Sequence, residues 1–240
     1  MFVMPEHEEW PATQNKLLAA LPVKDYARLI PHLEHTFIKY KELIYDSDTP
    51  IRFAYFPHDA IVSLLSVVET VASVEVGLVG SEGMVGASVL LGSTRSPTQA
   101  IVQTSGAALR IDAEILKREF RRSSTMQDLL LRYVNALLAE SAQSAVCHHY
   151  HTPQERLCRW LLMVQDRSGT NEFKVTQQFI ACMLGTRRAT VTEAAQALQH
   201  QGLIDQSRGR VKILDRQGLK AAACSCYRKI REVFCNLNRA

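Results

Sequence analysis

Apolar residues change their spacing along the chain, and each change marks a new kind of element. From Asn15 to Leu33 they recur at helical intervals: Leu17, Leu18 and Leu21, then Tyr26, Leu29, Ile30 and Leu33. Pro22 and Pro31 punctuate this run, which predicts several short helices. The period then shortens. Ile51–Phe56 ends at Pro57, Val62–Val68 is a β-branched and leucine run, and Val74, Val76 and Leu78 alternate with Ser73, Glu75 and Gly77. Gln99–Gln103 and Ala107–Ile111 read as two more strands around Ser105-Gly106. Many short strands separated by turn residues predict an antiparallel sandwich or barrel. Six of the eleven Gly lie between Gly77 and Gly106, most densely in Gly80-Ser81-Glu82-Gly83-Met84-Val85-Gly86. Backbone N–H groups in such a loop can cradle an anion, and a plain hairpin turn would use the same residues.

Helical spacing returns at Thr125 and runs to about His149 without Gly or Pro. Met126, Leu130, Tyr133 and Leu137 step by four, three and four, the spacing of a helix–helix seam, and are expected to dimerise the chain. Packing of the helix on its own domain would give the same spacing. Pro153 then opens a helix through Leu157, Trp160, Leu161 and Val164 that ends at Ser168-Gly169-Thr170-Asn171. A short helix begins at Val175-Thr176 with Ile180, Met183 and Leu184 on its buried face, and Gly185-Thr186 makes a tight turn. A second helix follows from Arg187, burying Val191, Ala194, Ala195 and Leu198 and presenting Arg187, Arg188, Thr190 and Glu193 on the other side. Ser207-Arg208-Gly209-Arg210-Val211-Lys212-Ile213 reads as a two-stranded wing with a basic tip. A helix, a tight turn and a second helix with a basic N-terminal end suit insertion into a DNA major groove, with the wing arginines Arg208 and Arg210 on phosphates.

Charge strengthens that reading. Residues 153–240 carry 15 of the 28 Lys and Arg and 7 of the 24 Asp and Glu, a net of +8, whereas residues 1–152 net −4. A basic C-terminal piece on an acidic body points to a polyanionic partner. The 240 residues, 47% hydrophobic and 22% charged, fit a folded chain of one or two domains. No apolar run approaches the ~20 residues that span a bilayer, and Met1–Glu9 lacks the pattern of a signal peptide, so a cytoplasmic chain without membrane association is expected. The six Cys, at 147, 158, 182, 224, 226 and 235, are expected to be reduced thiols. Cys224, Cys226 and Cys235 make a weak metal signal without a paired Cys-x-x-Cys, and Cys147, His148, His149 and His151 read as a solvated helix end; no metal site is assigned.

The run Val175-Thr176-Gln177-Gln178-Phe179-Ile180-Ala181 … Leu184-Gly185-Thr186-Arg187-Arg188-Ala189-Thr190-Val191 … Leu198-Gln199-His200-Gln201-Gly202-Leu203-Ile204 resembles the helix-turn-helix of the Crp/Fnr family of bacterial transcription regulators. Tyr55-Phe56-Pro57, Val62-Ser63-Leu64 and Glu82-Gly83-Met84-Val85-Gly86 resemble that family's cyclic-nucleotide-binding-like β-roll. The resemblance covers about residues 15–215. It implies an α+β chain: an antiparallel, jelly-roll-like β-roll at 15–122, a dimerisation helix and hinge at 123–151, and a winged helix-turn-helix at 152–240. It also implies double-stranded DNA, a second copy of the chain and RNA polymerase as partners. On these positions Thr176, Gln177 and Gln178 would hold the DNA backbone, and Arg187 and Thr190 phosphate or the groove wall. Arg188, Ala189 and Glu193 would face base edges, with Arg188 on a guanine. The family often has Glu at the place of Ala189 and Arg at that of Glu193, so its familiar half-site is not carried over.

The cyclic-AMP-responsive members of the family carry Gly-Glu-x-Gly and then Arg-Ser-Ala. Here the loop is Gly83-Met84-Val85-Gly86, and Arg95-Ser96 is followed by Pro97, with Thr98-Gln99 as the other register. Met84 cannot accept a ribose hydrogen bond usefully, so cyclic AMP is not the expected effector, and the effector is not identified. An Fnr-type iron–sulfur cluster needs N-terminal cysteines, and none precedes Cys147. A haem would want an axial ligand in the roll, where only His32, His35 and His58 stand. No cofactor is therefore expected. Without Gly-x-Ser-x-Gly, His-Glu-x-x-His or a Walker loop, the chain does not read as an enzyme. The competing reading is a small-molecule sensor that acts through protein contacts and not through DNA.

Overall fold

The computed structural model describes residues 13–68, 72–207 and 209–237. Asn15 caps α1 (Lys16–Ala19) by accepting from the Leu18 N–H, and Pro22 stands at the start of α2 (Val23–Leu29), which tightens into a 3-10 turn at Ile30–His32. Strands β1 (Glu34–Ile38), β2 (Leu43–Tyr45), β3 (Phe53–Pro57), β4 (Ile61–Val68) and β5 (Ala72–Val79) follow. A 3-10 turn at Ala87–Leu91 leads to β6 (Gln99–Thr104) and β7 (Gly106–Asp112). Two antiparallel sheets result, in the orders β1-β7-β3 and β2-β6-β4-β5. β1 and β2 carry no clean alternation, and the sequence pattern did not mark them: β1 pairs with β7 while leaving Phe37 63% exposed.

Asp112 caps α3 (Ala113–Arg122), and Ser123 caps the long α4 (Ser124–Tyr150) through the Met126 N–H. Thr152 and Glu155 form a reciprocal capping box at the start of α5 (Pro153–Ser168), whose end is Gly169 at φ 67°. The C-terminal part adds β8 (Glu172–Lys174), α6 (Gln177–Met183), α7 (Arg188–His200), β9 (Ile204–Ser207), β10 (Arg210–Ile213), α8 (Arg216–Ala222) and α9 (Cys226–Cys235). Its sheet has three strands in the order β8-β10-β9, one more than the predicted wing. One apolar core joins Ile61, Leu65 and Leu78 of the roll to Trp160, Ile180 and Leu198 of this part. No helix among the described residues is long and apolar enough to cross a membrane.

The predicted dimer seam requires correction. Met126, Leu130 and Tyr133 are buried inside the chain's own core, Leu137 packs against it, and the Tyr133 hydroxyl donates to the Met84 carbonyl at 2.9 Å. Apolar residues in the first half of α4 spread over more than one face, with Leu129, Leu130 and Leu131 about 100° apart, so spacing could not tell which of them meets the roll. The exposed apolar stripe is instead Leu131, Leu138 and Val146, at 41%, 61% and 46%.

Strand β5 buries polar Glu75 as well as apolar Leu78. Glu75 is 6% exposed, beneath α4 and α5, while Val74 and Val76 are only half-buried. Burial pushes the Glu75 carboxyl up to about 8; the Ser63 hydroxyl, Arg159 and Arg167 pull it down, and Glu140 pushes it up. The folded state therefore holds a proton that the unfolded chain loses near 4.5, and stability from this group falls between pH 4.5 and about 8. Glu75→Gln is expected to match the wild-type Tm near pH 5 and to exceed it by several degrees at pH 9. Thermal melts across that range check this, and parallel curves would refute it.

Candidate nucleic-acid interface

Helix α6 starts at Thr176, whose side chain accepts from the Phe179 N–H at 3.2 Å. Its inner face buries Ile180 and Met183, and Leu184 follows at the C-cap. Gly185, at φ 54°, makes the turn that a side chain would strain. Helix α7 then buries Val191, Ala194, Ala195 and Leu198, as its spacing predicts. The small alanines let α7 lie close across α6. On the outward side Arg187, Arg188, Ala189 and Glu193 are exposed, and Thr190 is half-buried.

Thr176, Gln177, Gln178 and Arg188 line one groove, together with Thr192, Gln196 and Gln199 of α7 and Gln206, Ser207 and Gly209 of the wing. The Thr192 hydroxyl donates to the Gln177 side-chain oxygen at 2.8 Å and ties α6 to α7. Arg187 and Thr190 are turned away from this groove. They line a larger cleft facing Ser73, Val74 and Val76 of β5 and Ser141, Ala145 and His148 of α4. Arg210 pairs with Glu172 of β8 at 2.8 Å, both side chains about half exposed. Such a surface pair is worth about 0–1 kcal/mol, so a phosphate can compete for the guanidinium. Arg208 lies outside the described residues.

Thr192, Gln196 and Gln199 were missed in the sequence. The signal was there: with Arg188 they form a polar stripe at i, i+4, i+8 and i+11, running beside the apolar face of α7. Glutamine can read adenine in a bidentate way, and an exposed Glu193 can accept from cytosine.

Of the residues expected to form an effector pocket, Gly86 and Ser96 meet at the Tyr45 hydroxyl, and most of the others are engaged within the fold. Met84 and Val85 are fully buried in the core, and Val85 exchanges backbone hydrogen bonds with Tyr55 at 2.8 and 3.0 Å. Gly83 lies against the Tyr133 ring, where a Cβ would clash, and Gly86 takes φ 93°. Arg95 bonds the Asp48 carbonyl and lies 3.4 Å from its carboxylate. The Ser96 hydroxyl donates to the Thr98 carbonyl at 2.6 Å, and Gln99 donates to Asp46 at 3.2 Å. Of these eight, Gln99 alone lines the cleft beside α7.

Residues 155–222 match the Crp-like helix-turn-helix domain family. FixK2 from Bradyrhizobium japonicum has a similar structure, with TM-score 0.69 and 16% identity over 80% of this chain and 98% of that one. The c-di-GMP-responsive global regulator CLP of Xanthomonas campestris gives 0.65 and 17% over 81% and 100%. A Crp/Fnr-family transcriptional regulator from Thermus thermophilus gives 0.61 and 24% over 79% and 98%. At these identities the likeness is one of fold. No curated protein gives a significant match.

Proposed function

We propose that this chain, which carries a Crp-like helix-turn-helix domain at residues 155–222 on the fold of Crp/Fnr-type regulators, binds a specific double-stranded DNA sequence as a homodimer and controls transcription there. The observation that carries this is the groove in which the start of α6, the polar stripe of α7 and the wing converge. Two copies joined along Leu131, Leu138 and Val146 would present two reading helices to a palindrome with half-sites about 34–36 Å apart. RNA polymerase is the partner such a regulator would meet on the promoter side. Cyclic AMP is not its effector in this reading, because the Met84 side chain fills the core and offers no useful acceptor to a ribose hydroxyl.

Selection from a random DNA pool tests the whole reading. One recurrent palindrome is the expected result, and no retained DNA even at low salt overturns it. On the selected site, Arg188→Ala is expected to lose preference at one base position, a discrimination of about 1–3 kcal/mol. Arg210→Ala is expected to weaken every sequence alike and to lower the salt slope by about one. Titrations at several salt concentrations separate the two effects. Unchanged selectivity in Arg188→Ala would displace that residue from its reading role.

A further inference from the structure

Two groups of residues far apart in the sequence meet at the junction of α4 and α9. Cys147 lies in the last turn of α4 and His151 is its C-cap residue, four positions on and so on the same side of the helix. Cys226 is the first residue of α9, and Cys224 lies just before it. The Cys147 and Cys224 sulfurs are 3.5 Å apart, and the Cys226 sulfur is 3.6 Å from Nδ1 of His151. All four donor atoms lie within 4.8 Å of one another. We propose that Cys147, His151, Cys224 and Cys226 form a tetrahedral site for a single zinc ion, which clamps the end of the long helix to the last helix of the helix-turn-helix part.

The geometry fits this ion. Zinc–sulfur bonds of about 2.3 Å and zinc–nitrogen bonds of about 2.0–2.1 Å give a tetrahedron with edges of about 3.4–3.8 Å. Both observed close pairs are of that length. The thiols are free, and 3.5 Å is far beyond the ~2.05 Å of a disulfide. Three thiolates and a neutral imidazole around Zn²⁺ carry a net charge of −1. Two buried cations stand ready to balance it: Arg156 and Arg159, 7% and 4% exposed, whose charges act on Cys147. Nε and one terminal nitrogen of Arg156, and Nε of Arg159, have no hydrogen-bond acceptor among the described residues. Uncompensated buried guanidinium groups are costly, and an anionic metal centre removes that cost. The Gln143 amide donates to the Cys226 sulfur at 3.0 Å, an outer contact of the kind that steadies a metal thiolate.

The test uses the full chain, purified with a thiol-free reductant. Elemental analysis is expected to give one zinc per chain, released by a mercurial that caps thiols. Replacing zinc with Co²⁺ is expected to give the intense ligand-field bands of a tetrahedral ion and strong thiolate charge transfer. Cys226→Ser is expected to lose the ion, Gln143→Ala to weaken it about tenfold, and Cys235→Ser, an exposed thiol, to keep it. Should Cys226→Ser fail to fold, the Co²⁺ spectrum of the wild type still decides. A reduced chain that takes up no zinc, an octahedral cobalt spectrum, or iron with acid-labile sulfide in place of zinc overturns the proposal. None of these readouts involves DNA, so they stand apart from the test of the regulatory reading.

Discussion

Replacing Arg167 with methionine is expected to cost about 3–5 kcal/mol, roughly a 10 °C fall in Tm for a chain of this size. Arg167 on α5 bonds Glu82 of the roll at 2.7 Å, reaches Glu140 of α4 at 3.5 Å, and lies 5.3 Å from the centre of the Phe234 ring of α9. Four parts of the chain thus meet on one guanidinium, itself 7% exposed. Methionine preserves much of the side chain's bulk, and the loss therefore falls mainly on the charge. It strands Glu140, which is 1% exposed. The penalty should depend on pH with a definite sign. Burial already pushes the Glu140 carboxyl up to about 7, against the pull of Arg167. The variant removes that pull and raises it further, so protonation rescues the variant in acid. The gap between the two proteins is expected to be small at pH 5 and to widen through pH 8. Calorimetric melts at the two pH values check it, and a gap that is constant with pH would show that packing, not charge, is lost.

Placing two glutamates on the exposed stripe of α4, Leu131→Glu with Leu138→Glu, is expected to split the proposed dimer and weaken binding to the selected palindrome at least a hundredfold. Both side chains are on the outer face, at 41% and 61% exposure, so the fold of a single chain should survive with little change in Tm. Like charges facing each other across a two-fold axis oppose pairing, and one half-site alone loses the benefit of linked binding. Sedimentation reads the mass and fluorescence anisotropy the affinity. A double variant that stays dimeric puts the interface elsewhere. Leu130 cannot serve the same experiment, because at 1% exposure it belongs to the internal core.

The contrast between those leucines shows where sequence reasoning works and where it stops. The helix-turn-helix was legible because its signals are local: Thr176 as cap, Gly185 as turn, and an apolar face repeated within thirteen residues of α7. The length of α4 was equally plain. Its orientation was not, since Leu129, Leu130 and Leu131 point in three directions and only the roll selects among them. The burial of Glu75 was out of reach for a related reason: alternation assigns a strand to two faces but does not say that both are covered. The Cys and His groups show the limit most clearly. Cys147 with His151, and Cys224 with Cys226, are each ordinary by local spacing. Only folding brings together side chains 77 positions apart.

Val74 of β5 lies beside the turn between α6 and α7. A Cβ at Gly185 would sit 3.0 Å from a methyl of Val74. Sheet and turn approach each other closely at this point because position 185 carries no side chain. A side chain at position 185 would therefore press on Val74 of the sheet and also strain the left-handed turn that leads into α7.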